Sequence, residues 1–181
     1  MYGEFVHLMT IQSKREGECM KTLIVYYSLE GNTQYVADKV KEKVDADTLR
    51  LVPKKAYSDK GFAKFFWGGK SALMAEKPEL EDYNVDLSKY DRIIFGFPVW
   101  AGTFTPPIRT FIEDNRKALA GKRFSAYACM AGSGGEKAIN KLAQFLEIPG
   151  FEATSIFVDP KAAASAEKEA QINGFCVALN Q

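Results

Sequence analysis

The chain has 181 residues, 46% of them apolar, and a formal net charge of +1. That length suffices for one domain with a buried core and is short for two. The near-neutral charge gives no indication of a nucleic-acid partner, and no apolar run approaches the roughly 20 residues that cross a bilayer. Residues 1–19 also lack a signal-peptide pattern. We therefore expect a cytoplasmic protein that binds neither nucleic acid nor membrane.

Residues 1–19 show neither a helical nor a strand period. Met20 then leads directly into the first apolar run, and Lys14–Glu18 can be encoded by purine-rich codons, like a ribosome-binding site read in frame. We expect an N-terminal extension that is disordered or a start-site artefact. A real arm that packs on a partner chain is the alternative. The domain then comprises residues 20–181.

From Met20 onward the sequence alternates between strand and helix patterns. The first helix, for example, places Val36, Val40 and Val44 on one stripe. In chain order we predict strand Thr22–Ser28, helix Asn32–Val44, strand Ala46–Leu51, helix Lys60–Met74, strand Arg92–Phe97, helix Pro106–Lys117, strand Arg123–Met130, helix Glu136–Leu146, strand Thr154–Val158 and helix Ala162–Leu179. Such alternation predicts an α/β fold in which helices cover both faces of a parallel sheet.

The turn after the first strand is a candidate anion site. Ser28-Leu29-Glu30-Gly31-Asn32-Thr33 joins a buried strand to a helix, so backbone amides and the positive end of the helix dipole surround one point. The turn has no Lys or Arg and the chain has no Gly-Lys-Ser/Thr, so this is not a nucleotide P-loop. Gly132–Lys137 lacks the third glycine of a dinucleotide fingerprint. A cradle for one terminal phosphate remains; the alternative is a turn capped by Ser28, Asn32 or Thr33.

Cysteine and histidine narrow the possible chemistry. His7 is the only histidine and precedes the domain. Cys19, Cys129 and Cys176 form neither a C-x-x-C pair nor a metal-ligand spacing, and we expect Cys129 and Cys176 in the core. Imidazole-dependent nucleophiles and His-ligated metals are thereby excluded. Redox or transfer chemistry must come from a bound cofactor or from carboxylates, hydroxyls and amides.

Two later loops strengthen the first motif. The turn resembles the Ser/Thr-x-Thr-Gly-x-Thr phosphate loop of the flavodoxin family, Phe95–Thr103 is similar to the family's isoalloxazine-contacting loop, and Met130–Gly135 lies where its third loop should be. The resemblance spans residues 20–178 and is to the branch with Pro-x-Trp-x-Gly-Thr. It implies a three-layer flavodoxin-like sandwich, a five-stranded sheet of order 2-1-3-4-5, and bound FMN. In that order, ligands bind where the loops after strands one and three diverge.

The resemblance also implies a role for each loop. The first would hold the ribityl phosphate, with Gly31 allowing close backbone approach or a positive φ. The second would wrap the flavin ring, with Trp100 stacking on or edging it unless it is a core aromatic. The third would cover the pyrimidine side unless it is an ordinary turn. The expected FMN contacts are Ser28, Leu29, Glu30, Gly31, Asn32, Thr33, Pro98, Val99, Trp100, Ala101, Gly102, Ala131, Gly132, Ser133, Gly134 and Gly135.

One residue departs from the family pattern. Glu30 stands where the family usually has Thr. The substitution removes a hydroxyl donor and brings a carboxylate near a phosphate dianion. This lowers affinity for the phosphate unless the Glu30 side chain points to water.

Three functions remain open at this point. An FMN electron carrier would serve a redox partner protein, whereas an NAD(P)H-dependent reductase would act on a small quinone-like or nitro acceptor. Small electron carriers of the family are typically acidic, and the charge of +1 weakens that interpretation. The aromatic segment Phe62–Trp67 could close over the flavin, form a homodimer contact or substrate slot, or pack as a satellite core. The third function is a non-redox phosphate-binding or receiver-like module. A receiver requires acidic residues after strand one and at the end of strand three, where this chain has Tyr27-Ser28 and Phe97-Pro98.

Overall fold

The computed structural model describes residues 20–57, 76–162 and 165–181. Five strands and the helices between them alternate along these ranges. In chain order they are β1 Thr22–Tyr26, α1 Asn32–Val44, β2 Ala46–Arg50, a 3-10 turn at Leu87–Lys89, β3 Arg92–Pro98, α2 Pro106–Asp114, α3 Arg116–Leu119, β4 Arg123–Met130, α4 Gly135–Leu146, β5 Thr154–Val158 and α5 Ala166–Leu179. The predicted helix at 60–74, the Phe62–Trp67 segment and the 1–19 extension lie outside the described residues.

The strands form one parallel sheet of order β2-β1-β3-β4-β5. Thr22 at the start of β1 pairs with Ala46 of β2 and with Arg92 of β3, so the strands begin level and their carboxyl ends share one edge. The predicted α/β fold and the order 2-1-3-4-5 are confirmed. The order reverses beside β1, where the loops after β1 and β3 leave a crevice.

Two apolar cores lie on opposite faces of the sheet, because alternate residues of a strand point to opposite sides. On one face Ile24 packs with Val36 of α1 and Ile172 of α5. On the other, Val25 packs in the same cluster as Ile108 of α2. The helices therefore cover both faces, as the alternation of patterns predicted.

The structure corrects two predicted helices. The helix predicted over 106–117 is divided at Asn115, whose side-chain amide donates to the Phe111 carbonyl at 2.9 Å and to the Tyr83 hydroxyl at 2.8 Å. These bonds stabilise a break that local propensity does not encode. The last helix begins at Ala166 rather than Ala162, because Ser165 caps it by accepting from the Lys168 N–H.

The observed ends of the strands differ less from the predicted ones. β1 ends at Tyr26 instead of Ser28, and β3 extends by one residue to Pro98. The next residue, Tyr27, still donates its N–H to the Gly96 carbonyl at 3.0 Å, so β1 leaves the sheet gradually. Ser28 consequently belongs to the loop at the carboxyl edge.

Candidate functional site

A cavity of about 580 Å³ opens at the carboxyl edge of the sheet. Loops after β1, β3, β4 and β5 bound it. Its lining residues are Ser28, Leu29, Glu30, Asn32, Thr33, Pro98, Val99, Trp100, Ala101, Cys129, Met130, Ala131, Asp159, Lys161 and Ala162. The structure thus brings parts of all three predicted loops to one space, and adds a fourth loop that the sequence did not indicate. Predicted contacts outside the lining are Gly31, Gly102, Gly132, Ser133, Gly134 and Gly135.

The first loop, residues 28–33, leads into the N-terminus of α1. Gly31 precedes the helix with φ +91°, a conformation that side-chain-bearing residues rarely adopt, so the predicted positive φ is confirmed. The Ser28 hydroxyl accepts a 3.3 Å hydrogen bond from the Gln34 N–H in the first turn. A capping contact and a phosphate cradle are therefore compatible at Ser28, because its hydroxyl can still donate.

Asn32 and Thr33 connect this loop to its neighbours. The Asn32 side-chain oxygen accepts from the backbone N–H of Lys161, at 3.1 Å. The Tyr127 hydroxyl donates to the Thr33 carbonyl at 2.9 Å, and the buried Thr33 side chain partly lowers the pKa of the Cys129 thiol. Both side chains line the cavity and also fix the loop against β4 and the loop after β5.

The second loop is a tight turn that presents Trp100. Backbone bonds run both ways between Trp100 and Thr103, at 3.1 and 3.0 Å, and Ala101 and Gly102 take positive φ values of 50° and 65°. The Trp100 ring meets Tyr27 edge-on at 5.6 Å between centroids and Tyr57 at 5.0 Å. The indole is half-buried and lines the cavity, which favours a ligand contact over a core position.

The third loop contributes mainly packing. A Cβ on Gly134 would lie 3.2 Å from the Gly102 Cα, and one on Gly135 would lie 2.7 Å from Ile156. These glycines let the third loop approach the second loop and β5 closely. Of the loop Met130–Gly135, Met130 and Ala131 line the cavity, and of its predicted FMN contacts only Ala131 does.

The loop after β5 also reaches the cavity, which the sequence patterns did not predict. Asp159, Lys161 and Ala162 line the cavity there, and Lys161 lies closest to the first loop: its ammonium nitrogen is 3.0 Å from the position of a Cβ on Gly31. A usable signal existed, because Asp159 and Lys161 follow a predicted strand whose carboxyl end reaches the same edge.

The chain matches the flavodoxin family model over residues 21–156. It belongs to the flavodoxin family. Its fold is similar to that of a flavoprotein from Lactobacillus acidophilus NCFM solved in complex with FMN, with TM-score 0.67 and 19% identity over 86% of this chain and 98% of that one. The fold is also similar to that of a candidate flavoprotein from Bacteroides uniformis, with TM-score 0.64 and 26% identity over 86% of this chain and 99% of that one. For a flavodoxin from Streptococcus pneumoniae TIGR4 the TM-score is 0.53 and the identity 18%, over 88% of this chain and 97% of that one.

Glu30, the departure from the flavodoxin pattern, is exposed at the cavity mouth. Solvent screening there weakens its repulsion of a bound anion.

In the ranges that the structure describes, no group of His, Cys, Asp and Glu could hold a metal ion. Within those same ranges, no helix is long and apolar enough to cross a membrane.

The Cys129 thiol should be chemically inert in this flavodoxin. Burial raises its pKa to about 12, against a partial lowering by the Thr33 side chain, and the residue is 2% exposed. The thiolate is therefore scarce at pH 8. We expect iodoacetamide to alkylate Cys129 at least about 100-fold more slowly in the native protein than in guanidinium. Peptide mass spectrometry measures both rates, and equal rates would contradict the buried position.

Cys176 is buried as well, so the expectation of two core cysteines is confirmed.

Proposed function

We propose that the protein binds FMN in this cavity and acts as a redox protein that passes electrons through the flavin to a partner protein. The observation that carries the proposal is the convergence of a helix N-terminal loop and a Trp-bearing loop on one cavity of about 580 Å³. That volume lies in the usual range for small-molecule sites, about 300–1,000 Å³. The FMN complex of the similar Lactobacillus acidophilus flavoprotein supports the choice of cofactor.

The residues present fit the two chemically different ends of FMN. At one end, the first loop leads into the N-terminus of α1, whose positive end attracts an anion. At the other, Pro98, Val99 and the half-buried Trp100 offer apolar surface for a planar ring. Bound FMN would supply the redox chemistry, while the chain binds the phosphate, orients the ring and excludes water from one side of it.

A second candidate is an NAD(P)H-dependent FMN reductase of quinone-like or nitro compounds. The net charge of +1 favours it, because the chain lacks the acidic field through which small carriers dock on basic partners. The carrier requires a protein partner, and the reductase requires only a small acceptor. For either function, we propose that the protein is cytoplasmic.

Retention of flavin tests FMN binding, which both proposed functions require. The purified protein is incubated with FMN, dialysed and examined by visible absorption, with riboflavin as the matched ligand. We expect a flavin band near one equivalent after FMN and much less after riboflavin, since riboflavin has no phosphate for the first loop. Loss of all bound FMN on dialysis, with the fold intact by circular dichroism, would contradict the proposal.

Steady-state oxidation of NADH or NADPH then separates the two functions. A carrier loaded with FMN should show no more turnover with a quinone than free FMN does. Turnover well above free FMN, lost on heat denaturation, would establish the reductase instead.

A further inference from the structure

We propose that the loop after β5 is a fourth binding loop, whose Lys161 ammonium pairs with the terminal phosphate of the flavin and selects FMN over riboflavin. This inference rests on the proposed FMN binding and adds a charged ligand to a phosphate loop that has no cation of its own. Residues 28–33 contain neither Lys nor Arg.

The placement of the Lys161 side chain points to this role. A Cβ built on Gly31 would lie 3.0 Å from the Lys161 Nζ, 3.6 Å from its Cδ and 3.8 Å from its Cε. The end of the lysine therefore lies across the one residue of the loop that has no side chain. Lys161 also lines the cavity together with Ser28 and Thr33. An anion at the N-terminus of α1 would lie within reach of the ammonium group.

Hydrogen bonds hold the backbone of this fourth loop in place from three sides. The Lys161 N–H donates to the Asn32 side chain at 3.1 Å, which joins the loop directly to the first loop. The Asp159 N–H donates to the Met130 carbonyl at 3.0 Å, and the Lys168 ammonium donates to the Asp159 carbonyl at 2.6 Å. Because the backbone is already ordered, ion pairing by Lys161 requires ordering of little more than one side chain.

The charges at the site give the reason for a cation. A phosphate monoester carries about −1.5 to −2 charges at neutral pH, whereas a helix N-terminus offers the equivalent of about +0.5. The Lys161 ammonium would offset part of the negative charge that the helix N-terminus leaves uncompensated. Arg50 also contacts the first loop, through the Ser28 carbonyl at 3.3 Å, but it does not line the cavity.

The test compares the dissociation constants of FMN and riboflavin by quenching of flavin fluorescence. We expect Lys161→Met to weaken FMN about 10- to 100-fold, the effect of losing a charge-assisted hydrogen bond, and to change riboflavin less than about twofold. Lys161→Arg should keep most of the preference. The matched control is Lys41→Met, which removes an equal charge from an exposed position of α1, about 15 Å along the helix from Gly31.

The outcomes separate this inference from the function beneath it. If wild-type protein binds neither flavin, the proposed function fails. If wild-type protein binds FMN and Lys161→Met binds it equally well, FMN binding stands and the role of Lys161 is overturned. Equal weakening of FMN and riboflavin would also overturn it, because a structural effect on the loop does not distinguish the two ligands. An equal effect of Lys41→Met would reduce the role to general electrostatics and overturn direct pairing.

Discussion

Replacement of Gly96 by alanine should destabilise the protein by about 3 kcal/mol, a large fraction of the roughly 5–15 kcal/mol that stabilises a typical domain. Gly96 in β3 pairs with Tyr127 in β4, and a Cβ on Gly96 would lie 2.3 Å from the Cζ and hydroxyl of that tyrosine. Tyr127 is fully buried, and its hydroxyl donates to the Thr33 carbonyl. The ring can move away only by breaking this bond and disturbing the first loop. Guanidinium unfolding followed by circular dichroism measures the loss.

Gly174 provides the matched control for this substitution. It lies exposed within α5, and a Cβ there would meet nothing within 4 Å. Gly174→Ala should raise the free energy of unfolding by about 0.5–1 kcal/mol, since alanine favours the helix. If Gly96→Ala had the stability of the wild type, the close packing of Tyr127 over β3 would be refuted.

Truncation of Trp100 should weaken FMN binding by about 1–3 kcal/mol, the range for stacking of a heteroaromatic ring on an aromatic side chain, or roughly 5- to 150-fold. The half-buried indole is the largest side chain on the cavity wall, and its edge contacts with Tyr27 and Tyr57 hold it in position. Titration of Trp100→Ala with FMN, monitored by flavin fluorescence, gives the change directly.

Two comparisons make the Trp100 result specific. Trp100→Phe keeps an aromatic surface and should lose less affinity than Trp100→Ala. Affinity for riboflavin should fall in parallel with affinity for FMN, because both flavins have the same ring. This differs from the result expected for Lys161→Met, which should weaken FMN binding alone. Unchanged affinity in a folded Trp100→Ala protein would show that the ring does not contact this residue.

The sheet and the first site loop could be predicted because their signals are local. The alternation of strand and helix patterns located all five strands, and the bounds of β4 and β5 were correct. The turn at 28–33 combined Gly31 with hydroxyl and amide side chains at a strand end, a pattern with a direct physical meaning. The strand order followed from the alternation of elements and from the family resemblance.

The rest depended on contacts between distant residues. Lys161 reaches the first loop through Asn32, 129 positions earlier in the chain, and no motif marks such a pair. The break at Asn115 depends on Tyr83, 32 positions earlier. The predicted ring contacts at Gly134 and Gly135 stay predictions, because the close approach of Gly102 and Ile156 already explains why glycine stands there.

A crystal structure of the protein with FMN would show whether the cavity at the carboxyl edge of the sheet binds the flavin. We expect one FMN per chain in the cavity, with its phosphate accepting hydrogen bonds from backbone amides between Leu29 and Thr33 and its ring beside Trp100. A cavity without flavin at saturating FMN, or a flavin bound at a different surface, would contradict this expectation.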